Sequence, residues 1–160
     1  MRSFGFLLKD LSRLYSSNFE RHAAPLGLTL PQCKLLGYLQ RNEGISQSRL
    51  AFLTDTDPMT LSRLVDRMAA EGLVERRPDP TDRRARRLYL CESALPVLDE
   101  IWRLSDVARG EAMSGLSVND RSLLIQLMQR VRANLDALMP GVADDNGLAI
   151  RPTGRARQSV

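Results

Sequence analysis

Residues 57–90 read DPMTLSRLVDRMAAEGLVERRPDPTDRRARRLYL, and this stretch decides the fold. Asp57 followed by Pro58 is a helix start: an N-cap carboxylate, then proline at the first helical position, where its missing N–H is one the helix could not satisfy anyway. Leu61, Leu64, Val65 and Met68 follow at spacings of three and four, so the helix runs to Glu71 and Gly72 closes it. Residues 73–77 and 86–91 read as two strands around Pro78-Asp79-Pro80-Thr81-Asp82-Arg83-Arg84-Ala85, a run of turn formers. They predict a β-hairpin with a basic tip.

The hairpin carries the charge of the whole chain. The 160 residues have a formal net charge of +4, and of the 23 basic residues only Lys9 and Lys34 are lysine. Residues 76–87 hold six arginines against Asp79 and Asp82, a net of +4, so the other 148 residues cancel at 17 basic and 17 acidic groups. Arg83, Arg84, Arg86 and Arg87 repel one another on a short loop unless they meet an anion. An arginine-rich loop is also a common solubility feature. Its position directly after a helix-turn-helix favours a nucleic-acid wing.

Working outward, Phe4, Leu7, Leu8, Leu11, Leu14, Tyr15 and Phe19 predict a helix over about 3–24, ended by Pro25-Leu26-Gly27. Thr29 can cap a helix over 31–40 with Leu35, Leu36 and Leu39 inward. Ile45 fits a short bridge, and Ser46 caps a short helix to Leu53. Two long helices follow, about 93–114 and 118–139, the second opened by a capping box between Ser117 and Asp120. Residues 140–160 read as a mobile tail. The fold class is mainly α with a small β-wing: a winged helix-turn-helix lobe over 31–92, flanked by dimerisation helices over 1–30 and 93–139. Leu95, Leu98, Ile101, Trp102, Leu123, Leu124, Leu127, Met128, Val131, Leu135 and Leu138 exceed what that small lobe can cover. A second copy of the chain is the simplest cover, so a homodimer is expected.

Composition excludes several classes. With 43% hydrophobic and 26% charged residues the chain is an ordinary globular sequence, neither collagen-like nor disordered. Cys33 and Cys91 make no disulfide framework. The opening apolar run is too short for a secretory signal and no run of 18 apolar residues exists, so a cytoplasmic protein without a membrane span is expected. His22 is the only histidine, which leaves a histidine metal site or a serine triad without parts. No glycine-rich phosphate loop appears either, so neither an enzyme nor a cofactor is expected.

The outward face of the 57–71 helix shows Thr60, Ser62, Arg63, Asp66 and Arg67. A major groove admits one helix, arginine bridges guanine O6 and N7, and small hydroxyls contact base or phosphate. Mixed charge on a helix is also what a merely solvated face looks like, so the hairpin tips the balance to double-stranded DNA.

The runs Leu28-Thr29 … Gln32 … Leu36, Gln47-Ser48-Arg49-Leu50-Ala51, Leu61-Ser62-Arg63-Leu64-Val65-Asp66, Glu71-Gly72-Leu73-Val74-Glu75-Arg76 and Asp79 to Leu90 together resemble the MarR/SlyA family of transcriptional regulators. The likeness spans about residues 5–139. It implies a winged-helix homodimer on a pseudo-palindromic operator, more often a repressor, with recognition helices in successive major grooves and wings in flanking minor grooves. By that resemblance Thr60, Ser62 and Arg63 match recognition-helix positions, and Arg84, two residues after Asp82, matches the arginine that enters the minor groove. The full DNA-facing set is Ser48, Thr60, Ser62, Arg63, Arg67, Arg77, Arg83, Arg84 and Arg86. Arg83, Arg86 and Arg87 would contact phosphate or pack the wing. Many relatives are released from DNA by a small aromatic or phenolic effector, and Arg13, Ser16, Cys33 and Gly37 match pocket positions. Cys33 stands where an aromatic is usual. Arg13 has a second reading, an ion pair with Asp10. Cys33 also has two: a reactive thiol of a redox-sensing regulator, or a small buried hydrophobe.

Overall fold

The computed structural model describes residues 3–82 and 85–138. The wing arginines Arg83 and Arg84 and the tail read over 140–160 therefore lie outside the described residues. The chain divides into two compact units, residues 1–112 and 113–160. No helix among the described residues is long and apolar enough to cross a membrane.

The first unit opens with α1 (Phe4–Ala23), followed by a single 3-10 turn, Ala24–Leu26. Next come α2 (Leu30–Arg41), β1 (Ile45–Ser46), α3 (Gln47–Leu53) and α4 (Pro58–Ala70), and then β2 (Val74–Pro78), β3 (Arg86–Leu90) and α5 (Ala94–Ala112). Boundaries differ from expectation by one or two residues, as fraying ends do. The expected bridge at Ile45 is a two-residue strand. It completes a three-stranded antiparallel sheet in the order β1-β3-β2, pairing Ile45 with Leu88 and Ser46 with Arg87.

Leu35, Leu36 and Leu39 of α2, Leu50 of α3, and Leu61, Val65 and Met68 of α4 meet in one core, joined by Val74 and Leu88 from the sheet. Leu98, Ile101, Leu104 and Ala108 of α5 and Phe19 of α1 bury in the same core. This corrects the expectation that Leu98 and Ile101 wait for a partner subunit. Helical periodicity shows that a face is apolar without showing what it packs on.

Gln32 is a fully buried polar residue among these side chains. Its Oε1 accepts from the Thr29 backbone N–H at 2.8 Å and the Thr29 hydroxyl at 3.0 Å, while its Nε2 donates to the Met68 sulfur at 3.3 Å. The start of α2 is thus fixed by Gln32 reaching back to Thr29, and the same amide ties α2 to α4.

The N-terminal half of α1 buries little: Phe4, Phe6, Leu7, Leu8, Leu11 and Leu14 are all exposed. Its C-terminal half is held to α5, with Arg21 and His22 both 2.9 Å from the Glu111 carboxylate. In the second unit, α6 (Val118–Leu138) starts at the expected capping box. Asp120 N–H donates to the Ser117 hydroxyl oxygen at 3.2 Å, and the Ser117 hydroxyl donates to Asp120 at 2.6 Å. None of the α6 residues is buried.

Candidate nucleic-acid interface

The Asp57 carboxylate accepts from the N–H groups of Met59 and Thr60, each at 3.0 Å, so α4 begins where the sequence places it. Gly72 ends it with φ of 73°, a left-handed corner that only glycine adopts without strain, and the chain turns directly into β2. Met59, Thr60, Arg63, Asp66 and Arg67 stand exposed, and Ser62 is half-buried. Arg63 has no ion-pair partner among the described residues. Arg67 lies 3.0 Å from Glu71, one turn along. Ser48, on α3, is exposed with its hydroxyl 3.2 Å from that of Ser46.

Asp66 is not a free anion on this face. Arg76 of β2 reaches it at 2.7 Å, and the same guanidinium donates to the Gln47 side chain and the Ser62 carbonyl at 3.4 Å. One side chain therefore joins the start of α3, the middle of α4 and the root of the hairpin. Strand alternation explains the choice. Arg76 shares the inward face with Val74, whereas Arg77 points to the other side. Arg77 pairs with Glu75 and stacks over the Tyr89 ring at 4.3 Å, and the pairing holds its guanidinium pKa above the usual arginine value.

The register sets Arg77 opposite Arg87, two like charges that would destabilise the hairpin if left alone. Asp79 answers Arg87. Its carboxylate accepts from the Thr81 hydroxyl and the Thr81 N–H, both at 2.7 Å, from the Asp82 N–H at 3.1 Å, and from Arg87 Nε at 2.6 Å. These four bonds, the Thr81 hydroxyl first, hold the Asp79 carboxyl far below the usual carboxylate range. Arg87 also donates to the Gly44 carbonyl at 2.8 Å, so it packs the wing. Arg86, paired across the sheet with Pro78, is exposed and has no ion pair among the described residues.

The predicted set thus falls into four groups. Ser48, Thr60, Arg63 and Arg86 are exposed with no ion pair among the described residues, and Ser62 is half-buried. Arg67 and Arg77 carry partners of their own, and Arg83 and Arg84 lie outside the described residues. Arg76, Asp79 and Met59 escaped the sequence reading. Strand parity with Val74 marks Arg76, and the Asp-Pro-Thr-Asp spacing of an Asx turn marks Asp79.

A cleft of about 200 Å³ lies between α1, α2 and α5, and Ser16, Cys33 and Gly37 line it together with Tyr15, Phe19, Tyr38 and Trp102. The Trp102 ring rests 3.5 Å from where a Gly37 Cβ would stand, and its N–H donates to Gln40 at 2.7 Å. Arg13 is not among the lining residues. It lies 3.7 Å from Asp10 with two-thirds of its side chain in solvent. Cys33 is buried, and desolvation pushes its thiol up to about 11. At neutral pH only about one such thiol in ten thousand is ionised.

Comparison with known proteins agrees with this geometry. The sequence profile of the MarR family matches residues 26–85, which run from the start of the lobe through the wing. The HTH-type transcriptional regulator YybA of Bacillus subtilis is 24% identical over 136 residues, 85% of this chain and 88% of YybA. The crystal structure of the transcriptional regulator PA3341 is 30% identical, covers 84% of this chain and 98% of its own, and superposes with a TM-score of 0.74. A mutant MarR from E. coli, crystallised with operator DNA, is 23% identical, covers 79% of this chain and 91% of its own, and superposes with a TM-score of 0.69; a second crystal structure of that mutant covers 80% of this chain and 95% of its own, with a TM-score of 0.73. Profile, fold and a relative matched over nearly its full length agree, and the chain belongs to the MarR family of transcriptional regulators.

Proposed function

We propose that the protein is a dimeric, sequence-specific repressor whose α4 enters the major groove of each half of a pseudo-palindromic operator. The observation that carries this reading is the outward face of α4: Thr60 and Arg63 stand exposed beside a wing whose root is tied to that helix by Arg76. Arg63 is the base reader, Thr60 and Ser48 contact base edge or phosphate, and Arg83, Arg84 and Arg86 serve the minor groove and phosphates of the wing. The E. coli relative solved with operator DNA supports the same arrangement. The exposed apolar faces of α1 and α6 support a second copy as their cover. Selection of bound duplexes from a random pool tests it. A paired motif with half-sites about one helical turn apart is expected, bound at least about a thousandfold more tightly than random duplex. A less than tenfold preference overturns sequence reading.

The cleft supports release by a small, largely apolar aromatic effector. Trp102, the only tryptophan of the chain, lies on its wall, so its fluorescence reports occupancy directly. Salicylate or a neutral phenol should quench it saturably and weaken operator binding in the same concentration range; quenching without any change in DNA affinity removes the effector role. The burial and raised pKa of Cys33 favour this reading over a thiol sensor.

A further inference from the structure

Met59, the second residue of α4, is 66% exposed, while Leu61, Val65 and Met68 of the same helix are fully buried and Leu64 packs partly against the core. The helix turns its other large apolar side chains inward, so Met59 breaks an otherwise regular amphipathic pattern. It does not sit at a frayed end, because its N–H is held by Asp57 at 3.0 Å. Four residues on, Arg63 shares its face, and Thr60 is its immediate neighbour. A single exposed apolar residue on an idle surface needs no explanation. On a face offered to base edges it has one chemical match, since the only apolar group presented in a major groove is the C5-methyl of thymine.

We infer that Met59 is a specificity-determining residue that packs its thioether against a thymine methyl in each half-site. The inference rests on the DNA-reading role proposed above and adds the base it selects. An unbranched, polarizable side chain suits a contact whose geometry is set by the duplex. Four helical residues advance about 6 Å, slightly under two base-pair steps of 3.4 Å, so the thymine lies within about two base pairs of the guanine read by Arg63.

Deoxyuridine lacks only that methyl, which makes the test chemical. With the full chain and the duplex selected from a random pool, each thymine within two base pairs of that guanine is replaced in turn by deoxyuridine, and affinity is read by fluorescence anisotropy. One such replacement is expected to weaken wild-type binding about fourfold per half-site, the equivalent of losing one buried methyl group. Met59→Ala is expected to bind the thymine duplex about fourfold more weakly and to be indifferent to deoxyuridine, while Met59→Leu keeps the sensitivity. Because Met59 is exposed, both variants should melt like wild type. Wild-type indifference to every replacement, sensitivity that survives in Met59→Ala, or a selected half-site with no thymine in range overturns the inference while leaving DNA reading intact. A pool that yields no preferred sequence overturns both.

Discussion

Arg76 and Arg77 are adjacent arginines with opposite surroundings. Arg76 turns inward to Asp66, Gln47 and the Ser62 carbonyl, and Arg77 turns outward to Glu75 and Tyr89. The consequence for Asp66 has a definite sign. If α4 faces DNA as proposed, removing an anion from it should strengthen binding were charge alone to matter. Asp66→Asn instead frees Arg76 and loosens the wing root, so operator affinity should fall about fivefold, in line with roughly 1 kcal/mol for an indirect contact, while random-duplex affinity holds or rises. Anisotropy titrations on both duplexes check this; a parallel gain on both would assign Asp66 to simple repulsion. Cys33 gives a second prediction at this scale. The folded state keeps the thiol protonated up to about 11, so folding stability should fall as pH rises from about 9 towards 11, and Cys33→Ala should abolish that slope in urea melts. At neutral pH, iodoacetamide should label half-exposed Cys91 well before Cys33, as peptide mass mapping would show.

The wing is the element whose order depends most on one residue. Asp79 ends the cross-strand conflict between Arg77 and Arg87 and closes the turn through Thr81 and Asp82. Its carboxyl stays ionised well into acid while that of the unfolded chain protonates in the ordinary carboxylate range, so its contribution is complete above that range and is lost progressively as pH falls through and below it. Asp79→Ala should therefore lose amide-exchange protection at Thr81 and Asp82 and weaken flanking minor-groove protection in a hydroxyl-radical footprint, with α4 contacts retained. Much of this element was legible beforehand. Val74, Leu88 and the turn formers between them announce a hairpin, and Asp57-Pro58 announces the helix before it. The partner of each arginine was not, because composition shows a cluster while cross-strand register decides which guanidinium faces which carboxylate. Asp79 takes the Arg87 guanidinium, a pairing that only the register reveals.

For the whole molecule, apolar periodicity revealed the long helices but left their cover ambiguous. Leu98 and Ile101 prove to be core, while Leu124, Leu127, Met128, Val131 and Leu135 of α6 remain exposed. If a second copy covers that stripe, Leu127→Glu with Val131→Glu should sediment at the mass of one chain, where wild type sediments at two. Operator affinity should drop about a hundredfold or more as one linked half-site contact is lost. An unchanged dimer would assign the interface elsewhere. The placement of α2 carries a mechanical corollary. Its middle, at Cys33 and Gly37, forms a wall of the cleft. One end is hung on α4 through Gln32 and Met68; just past the other, Gly44 and Glu43 hold Leu88, Arg87 and Leu90 of the wing. A crossbeam loaded at its centre has two simple responses: sliding carries helix and wing together, whereas tilting lifts one as it lowers the other. Tilt alone would alter the span between α4 and the wing strands without unfolding either.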